Sequence, residues 1–250
     1  MPEPKFNRED HLKAREQGSL LSDIGEHLEE LRTVLFISVL VILIAFSVAF
    51  YFSEHLINLL KTLAPVGSSF FQLKPGELFL VSIKVSFFAA LYFAIPFLMH
   101  QVYLFVEPAL KKKEKSLSVL VVIMAPLLFW GGLTFAFFFL LPPLLDFLLN
   151  FREGVVEKRY GLESYINLVL SIETVTAISF QLPVVIFVMG ILGLVKVKQL
   201  VSVWRYVILF AFILAAFLTP TPDPLTMSVL ACALLVLYFS TILVLKLFKK

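Results

Sequence analysis

Apolar runs of roughly the twenty residues that a helix needs to cross about 30 Å of hydrocarbon recur along this 250-residue chain, and they leave it few ways to fold. They cover approximately 34–52, 78–105, 117–141, 165–194, 206–218 and 225–247. Hydrophobic residues make up 60% of the chain and charged residues 16%, against roughly 45–50% and about 25% in soluble domains. A soluble fold of this length cannot hide so much apolar surface, because a large share of its residues must face water. The expected fold is an all-α integral membrane protein of six transmembrane helices, a single membrane domain over 1–250. The fifth run holds only about 13 apolar residues, or about 20 Å of helix. It reads as a short span in a locally thinned bilayer rather than a re-entrant segment.

Orientation follows from the basic residues. The N-terminal tail, Lys111 to Lys115, Lys196 to Arg205 and the tail from Lys246 carry 15 of the 21. The opposite loops carry five: Lys61, Lys74, Arg152, Lys158 and Arg159. Lys84 falls inside the second run. The positive-inside bias therefore places both termini in the cytoplasm, as an even number of spans requires. Residues 1–19 read as a polar extension and 20–33 as an amphipathic lead-in, with Asp23 and Glu26 as a capping-box variant that starts a helix. This polar start is not a signal peptide, so the first span is expected to serve as an uncleaved signal. Leu56, Leu59, Leu60 and Leu63 predict a short interfacial helix on the outer surface. Pro96, Pro126 and Pro183 inside runs predict kinks and a concave bundle, and Pro142–Pro143 predicts the end of the third span.

Few residues are candidates for chemistry. His27 is followed by Leu28-Glu29-Glu30-Leu31 without a second histidine, so it makes no zinc pair, and neither a nucleophile elbow nor a phosphate-binding glycine loop occurs. No metal, cofactor or catalytic activity is expected, and Cys232 lies in an apolar run as a packed thiol. The polar groups in unusual places are Glu26, Glu30 and Arg32 before the first span, Glu114 among four lysines, and Glu173 and Gln181 within the fourth. An acid inside a span costs about 2.5–3.5 kcal/mol on insertion scales and is a functional candidate by default. Plainer readings stand beside these: a solvated helix end with a Glu29–Arg32 pair, a balanced positive-inside loop, and hydrogen bonds between helices.

In order and spacing the segments resemble the TatC family, the multispanning core of the twin-arginine protein translocase. The carriers are His27-Leu28-Glu29-Glu30-Leu31-Arg32; Pro75 and Phe79 with Lys84 and Ser86, then Pro96 and Gln101-Val102-Tyr103; Phe105, Pro108-Ala109-Leu110 and Glu114; Phe180-Gln181-Leu182-Pro183; and Leu218-Thr219-Pro220 with Asp223. The resemblance runs from about Leu20 to Lys250.

It implies a receptor for the Arg-Arg signal peptides of folded cargo, in which Glu30 and Glu114 meet the guanidinium forks and His27, Arg32, Phe105 and Pro108 complete the site. It further implies single-span TatA and TatB type partners at the polar site of span four, several copies of the chain in one complex, drive by the proton motive force, and a place in the bacterial cytoplasmic (inner) membrane. Membrane lipid is a partner and nucleic acid is not. Pro220 and Asp223 would form an extracytoplasmic turn. The chain departs from the pattern at several places. Gln181 stands where the family usually has a glutamate, Thr33 and Val34 replace basic residues, and Thr221 interrupts the turn before Asp223. Glu173, two turns nearer the extracytoplasmic side, is the candidate to supply the missing acid. Two other readings remain: a secondary transporter of a small solute, which internal repeats and midplane charges would mark, and an intramembrane enzyme.

Overall fold

The computed structural model describes residues 8–106, 112–150, 159–218 and 224–248. The first helix, α1 (Arg8–Tyr51), is 44 residues long, about 66 Å at 1.5 Å per residue. Only Leu31–Tyr51 is apolar enough to span a bilayer, so lead-in and first span are one rod. The helix start expected at Asp23 is therefore not there. No proline interrupts 8–51, and the turns before Asp23 supply the carbonyls that its capping box would have replaced.

A second helix, α2 (Ser53–Lys61), follows after one non-helical residue, Phe52. It buries Ile57 and Leu60 and packs Leu56 against the core, as does Leu63 just past its end, whereas Leu59 of the expected stripe faces outward. Beyond it, β1 (Ser69–Phe71) pairs in parallel with β2 (Arg159–Gly161), Phe70 opposite Tyr160. This three-residue ladder between two distant loops has no counterpart in the sequence pattern. It closes one end of the bundle, called here the capped end.

From the capped end, α3 (Glu77–Val106) runs to the opposite, basic end, where α4 (Lys112–Phe135) begins. Pro96 has no N–H, so the carbonyl of Tyr92, four residues back, loses its helical donor. The indole Nε1 of Trp130 on α4 donates to that oxygen at 2.9 Å, and the gap becomes a link between helices.

The third span does not stop at Pro142–Pro143. After α4 comes a π-helical turn, Ala136–Leu140, in which the Leu141 N–H donates to Ala136 O, and then α5 (Leu141–Asn150). The wider turn shifts the preceding carbonyls away from the two pyrrolidine rings, which a regular α-helix would bring into collision. Leu140, Leu141, Leu144 and Leu145 are fully buried there, and that burial holds the distorted turn in place.

The fourth run is two helices, α6 (Leu162–Ser179) and α7 (Leu182–Ile191), with Phe180 and Gln181 between them. Pro183 lies in the first turn of α7, where a missing N–H costs nothing. A turn through Gly193 (φ 74°) leads to α8 (Val197–Ser202), α9 (Trp204–Leu218) and α10 (Pro224–Phe248).

Among the described residues five segments are long and apolar enough to cross a membrane: Leu31–Tyr51, Glu77–Leu104, Leu120–Leu149, Leu162–Ile191 and Thr226–Leu247. The apolar part of α9, Trp204–Phe217, is shorter. The main core joins α2, α3, α5, α6, α9 and α10, and a smaller cluster of Phe187, Leu200, Tyr238, Ile242 and Leu245 holds α7 and α8 against α10. Large apolar side chains such as Phe36, Phe93 and Phe217 stay exposed, as a lipid-facing surface requires, and Cys232 is exposed with them on α10 instead of being the packed thiol expected of it.

Candidate functional site

The residues singled out from the sequence fall at two levels. At the basic end, Glu30 lies one residue before the apolar part of α1, and Glu114 is the third residue of α4. Both helices pack on α3, whose last residues lead into α4, so the helical positions of the two acids belong to one end of the bundle. Arg32 is exposed on α1, and next to it Thr33 Oγ1 donates to Glu29 O at 2.9 Å. Pro108, Pro220 and Asp223 lie outside the described residues, as do the side chains of His27, Glu30, Phe105 and Glu114.

The second level is inside the bundle. Gly132 of α4 faces Ala177 of α6 so closely that a β-carbon there would lie 2.8 Å from the Ala177 Cα and 3.0 Å from the Phe180 ring. The near contact aligns the break after α6 with α4, and Gln181 Nε2 donates to the Ala125 carbonyl at 3.1 Å. An amide can make this bond, whereas an ionised carboxylate at the same place would present only acceptors to a carbonyl. The amide of Gln181 thus fits the packing of α4 against the break after α6.

Glu173 is buried at 6% exposure, eight residues before Gln181, or about 12 Å along α6. The structure does not bring the two together. Glu173 is followed on α6 by Thr174, whose hydroxyl is bonded to Tyr92 of α3, and it lies about two turns after Tyr165. Tyr165 Oη donates to Leu60 O at 2.8 Å. Thr174 Oγ1 donates to Leu170 O at 2.6 Å, so the 2.7 Å bond between Tyr92 and Thr174 uses the tyrosine proton. The Tyr92 and Tyr165 protons are thus committed to Thr174 and Leu60. Among the described residues Glu173 has no ion-pair partner.

A further cluster is absent from the sequence reading. Glu77, 2% exposed, accepts the Leu73 N–H at 2.6 Å and the Lys74 N–H at 3.2 Å on one oxygen, and the Glu163 N–H at 2.9 Å on the other. Lys84 donates to Asn167 Oδ1 at 2.6 Å and reaches Glu163 Oε1 at 3.4 Å. One carboxylate and one ammonium thus lock the starts of α3 and α6 together at the capped end. A lysine within a span calls for a partner on a facing helix, and that was the available signal for Glu163 and Asn167. Glu77 gave no signal, because its N–H partners belong to loop geometry.

Residues 26–232 match the family described as Sec-independent protein translocase protein (TatC). The TatC of Synechocystis sp. is 40% identical over 218 residues, covering 87% of this chain and 85% of that protein. The chloroplastic TATC of Pisum sativum is 40% identical over 86% of this chain and 61% of its own length. A crystal structure of the twin arginine translocase receptor TatC in DDM superposes with a TM-score of 0.73 at 33% identity, over 87% of this chain and 98% of that one. The apolar spans and the family match agree, and the chain belongs to the TatC family as a membrane-embedded component of the Sec-independent protein translocase.

Proposed function

We propose that this chain is the receptor subunit of its translocase, binding Arg-Arg signal peptides at the basic end through Glu30 and Glu114. The observation that carries this reading is the shared level of the two acids, one where α1 enters its apolar segment and one in the first turn of α4. A guanidinium is always charged and offers a planar fork that a carboxylate meets with two parallel bonds. Two acids at one end match a signal of two adjacent arginines, and next to headgroups such pairs gain over fully exposed ones. His27, Arg32, Phe105 and Pro108 flank the same site, and the apolar part of the signal lies along the bundle.

The basic end faces the cytoplasm, with six crossings and both termini inside. Gln181 marks the intramembrane polar site, where single-span partner subunits of the TatA and TatB kind dock, and Glu173, about 12 Å away along the helix, is a separate candidate acid. Pro220 and Asp223 turn the chain on the outer side. Transport of folded cargo draws on the proton motive force, in a complex that holds more than one copy of this chain. The bacterial cytoplasmic membrane is the proposed location, and plastid relatives make a thylakoid-type membrane the other setting to test.

The test is photocrosslinking of an Arg-Arg signal peptide to the full chain in membranes. Glu30→Gln with Glu114→Gln is expected to weaken capture by tenfold or more, since each charge-assisted bond is worth about 1.5–3 kcal/mol. A Lys-Lys peptide should lose capture by wild type. Capture indifferent to both changes, in folded protein, sinks the reading.

A further inference from the structure

Where α1 ends and α3 begins, the capped end holds a cavity of about 370 Å³. Its polar wall is Glu54, Asn58 and Lys61 of α2, Gln72 beyond β1, and Ser82 of α3. Glu54 and Lys61 are seven residues apart, two helical turns, so both project from one face of α2. Among the described residues neither has an ion-pair partner, and the Lys61 ammonium rests 5.6 Å from the centre of the Phe70 ring. An acid and a base that line one cavity unpaired are complementary to a ligand carrying both charges.

The place in the membrane narrows the ligand. The apolar segment of α1 ends at Tyr51, two residues before α2, and α3 turns apolar just after Glu77. The cavity therefore lies at the depth of the lipid headgroups. Its remaining lining includes Phe71 and Leu78, exposed at 41% and 44%, and Phe79 beside them is 60% exposed. A soluble zwitterion has no use for such an apolar flank, whereas a lipid has acyl chains to lay on it.

We propose that this cavity holds the headgroup of a zwitterionic phospholipid of the phosphoethanolamine class. Lys61 meets the phosphate and Glu54 the ammonium. Asn58 and Gln72 serve the phosphate and ester oxygens, and an acyl chain descends over Leu78 and Phe79. An anionic lipid would leave Glu54 opposed to its charge, and a sugar headgroup would leave both charges uncompensated. The bound lipid would pin α2 against the start of α3 without touching the basic end, so the site stands or falls separately from signal-peptide binding.

The experiment is native mass spectrometry of the delipidated full chain, titrated with phosphatidylethanolamine, phosphatidylglycerol and a galactolipid of equal chain length. Phosphatidylethanolamine is expected to bind best. Lys61→Gln and Glu54→Gln should each weaken it about fivefold, the size of a half-exposed ion pair, and Lys74→Gln, outside the cavity, should not. Glu54→Gln should also narrow the gap to phosphatidylglycerol. A photoreactive phosphatidylethanolamine should crosslink within residues 53–82. Equal retention of all three lipids, variants that change nothing, crosslinks confined to α9 and α10, or equal competition by soluble glycerophosphoethanolamine would each overturn the assignment.

Discussion

Gly132 is a residue whose identity is dictated by a neighbour's backbone. Ala177 Cα cannot swing away as a side chain can, so Gly132→Ala should cost about 1–3 kcal/mol, read as a lower unfolding midpoint in detergent. Gly131→Ala, where a β-carbon meets nothing within 4 Å, is the control and should be near neutral. Glu77 is decided by three N–H groups. Glu77→Ala leaves them to find water or go unpaired and should cost about 2–4 kcal/mol, with Glu77→Gln losing less because an amide oxygen still accepts. Gln181 is set by its donor bond to Ala125. Gln181→Glu keeps that bond only while the acid is protonated, so a pH-dependent contribution that the amide does not make is expected, with loss as pH rises.

Three of the helices carry a proline that changes what a neighbouring element does. In α3, Pro96 frees the Tyr92 carbonyl and Trp130 claims it. Trp130→Phe should therefore cost about 1 kcal/mol in the native background and less in Pro96→Ala, where the helix supplies its own donor. A double-mutant cycle with no coupling would refute this account. In α5, Pro142 and Pro143 follow a π turn and the helix continues. In α7, Pro183 opens a new helix instead of kinking an old one. The expectation that Pro142–Pro143 ends a span fails where a π turn precedes the prolines, and at Pro183 a break takes the place of a kink within one helix. A π turn or a clean break supplies another solution, and which is used depends on the burial around it.

At the scale of the molecule, the two ends differ in construction. The capped end is tied by a parallel ladder, the Glu77 carboxylate and the Lys84 cluster. The basic end gathers lysines and the two candidate acids. The number of crossings turns on α9, whose 15 residues make about 22 Å of helix. Cysteine labelling in a Cys232→Ala background separates the cases. If α9 crosses, Lys198→Cys and Lys246→Cys share the same protection from an impermeant maleimide, and Val66→Cys, fully exposed at the capped end, reacts from the other side. Opposite labelling of Lys198→Cys and Lys246→Cys would mean that α9 does not cross.

The apolar spans and their order were legible from residue type alone, because a bilayer imposes one length and one polarity on whatever crosses it, and the family was legible from the order of the short motifs between them. That Glu30 and Glu114 each adjoin an apolar run was legible too, since composition marks where those runs end. Tertiary structure decided the rest. Whether Pro142–Pro143 ended a helix depended on the burial of Leu140 to Leu145, and whether Asp23 began one depended on unbroken helix upstream. Glu77 reaches Glu163 across 86 residues of chain, Lys84 reaches Asn167 across 83, and Trp130 reaches Tyr92 across 38. No periodicity or local propensity carries information across such separations, because these contacts exist only once the helices have packed.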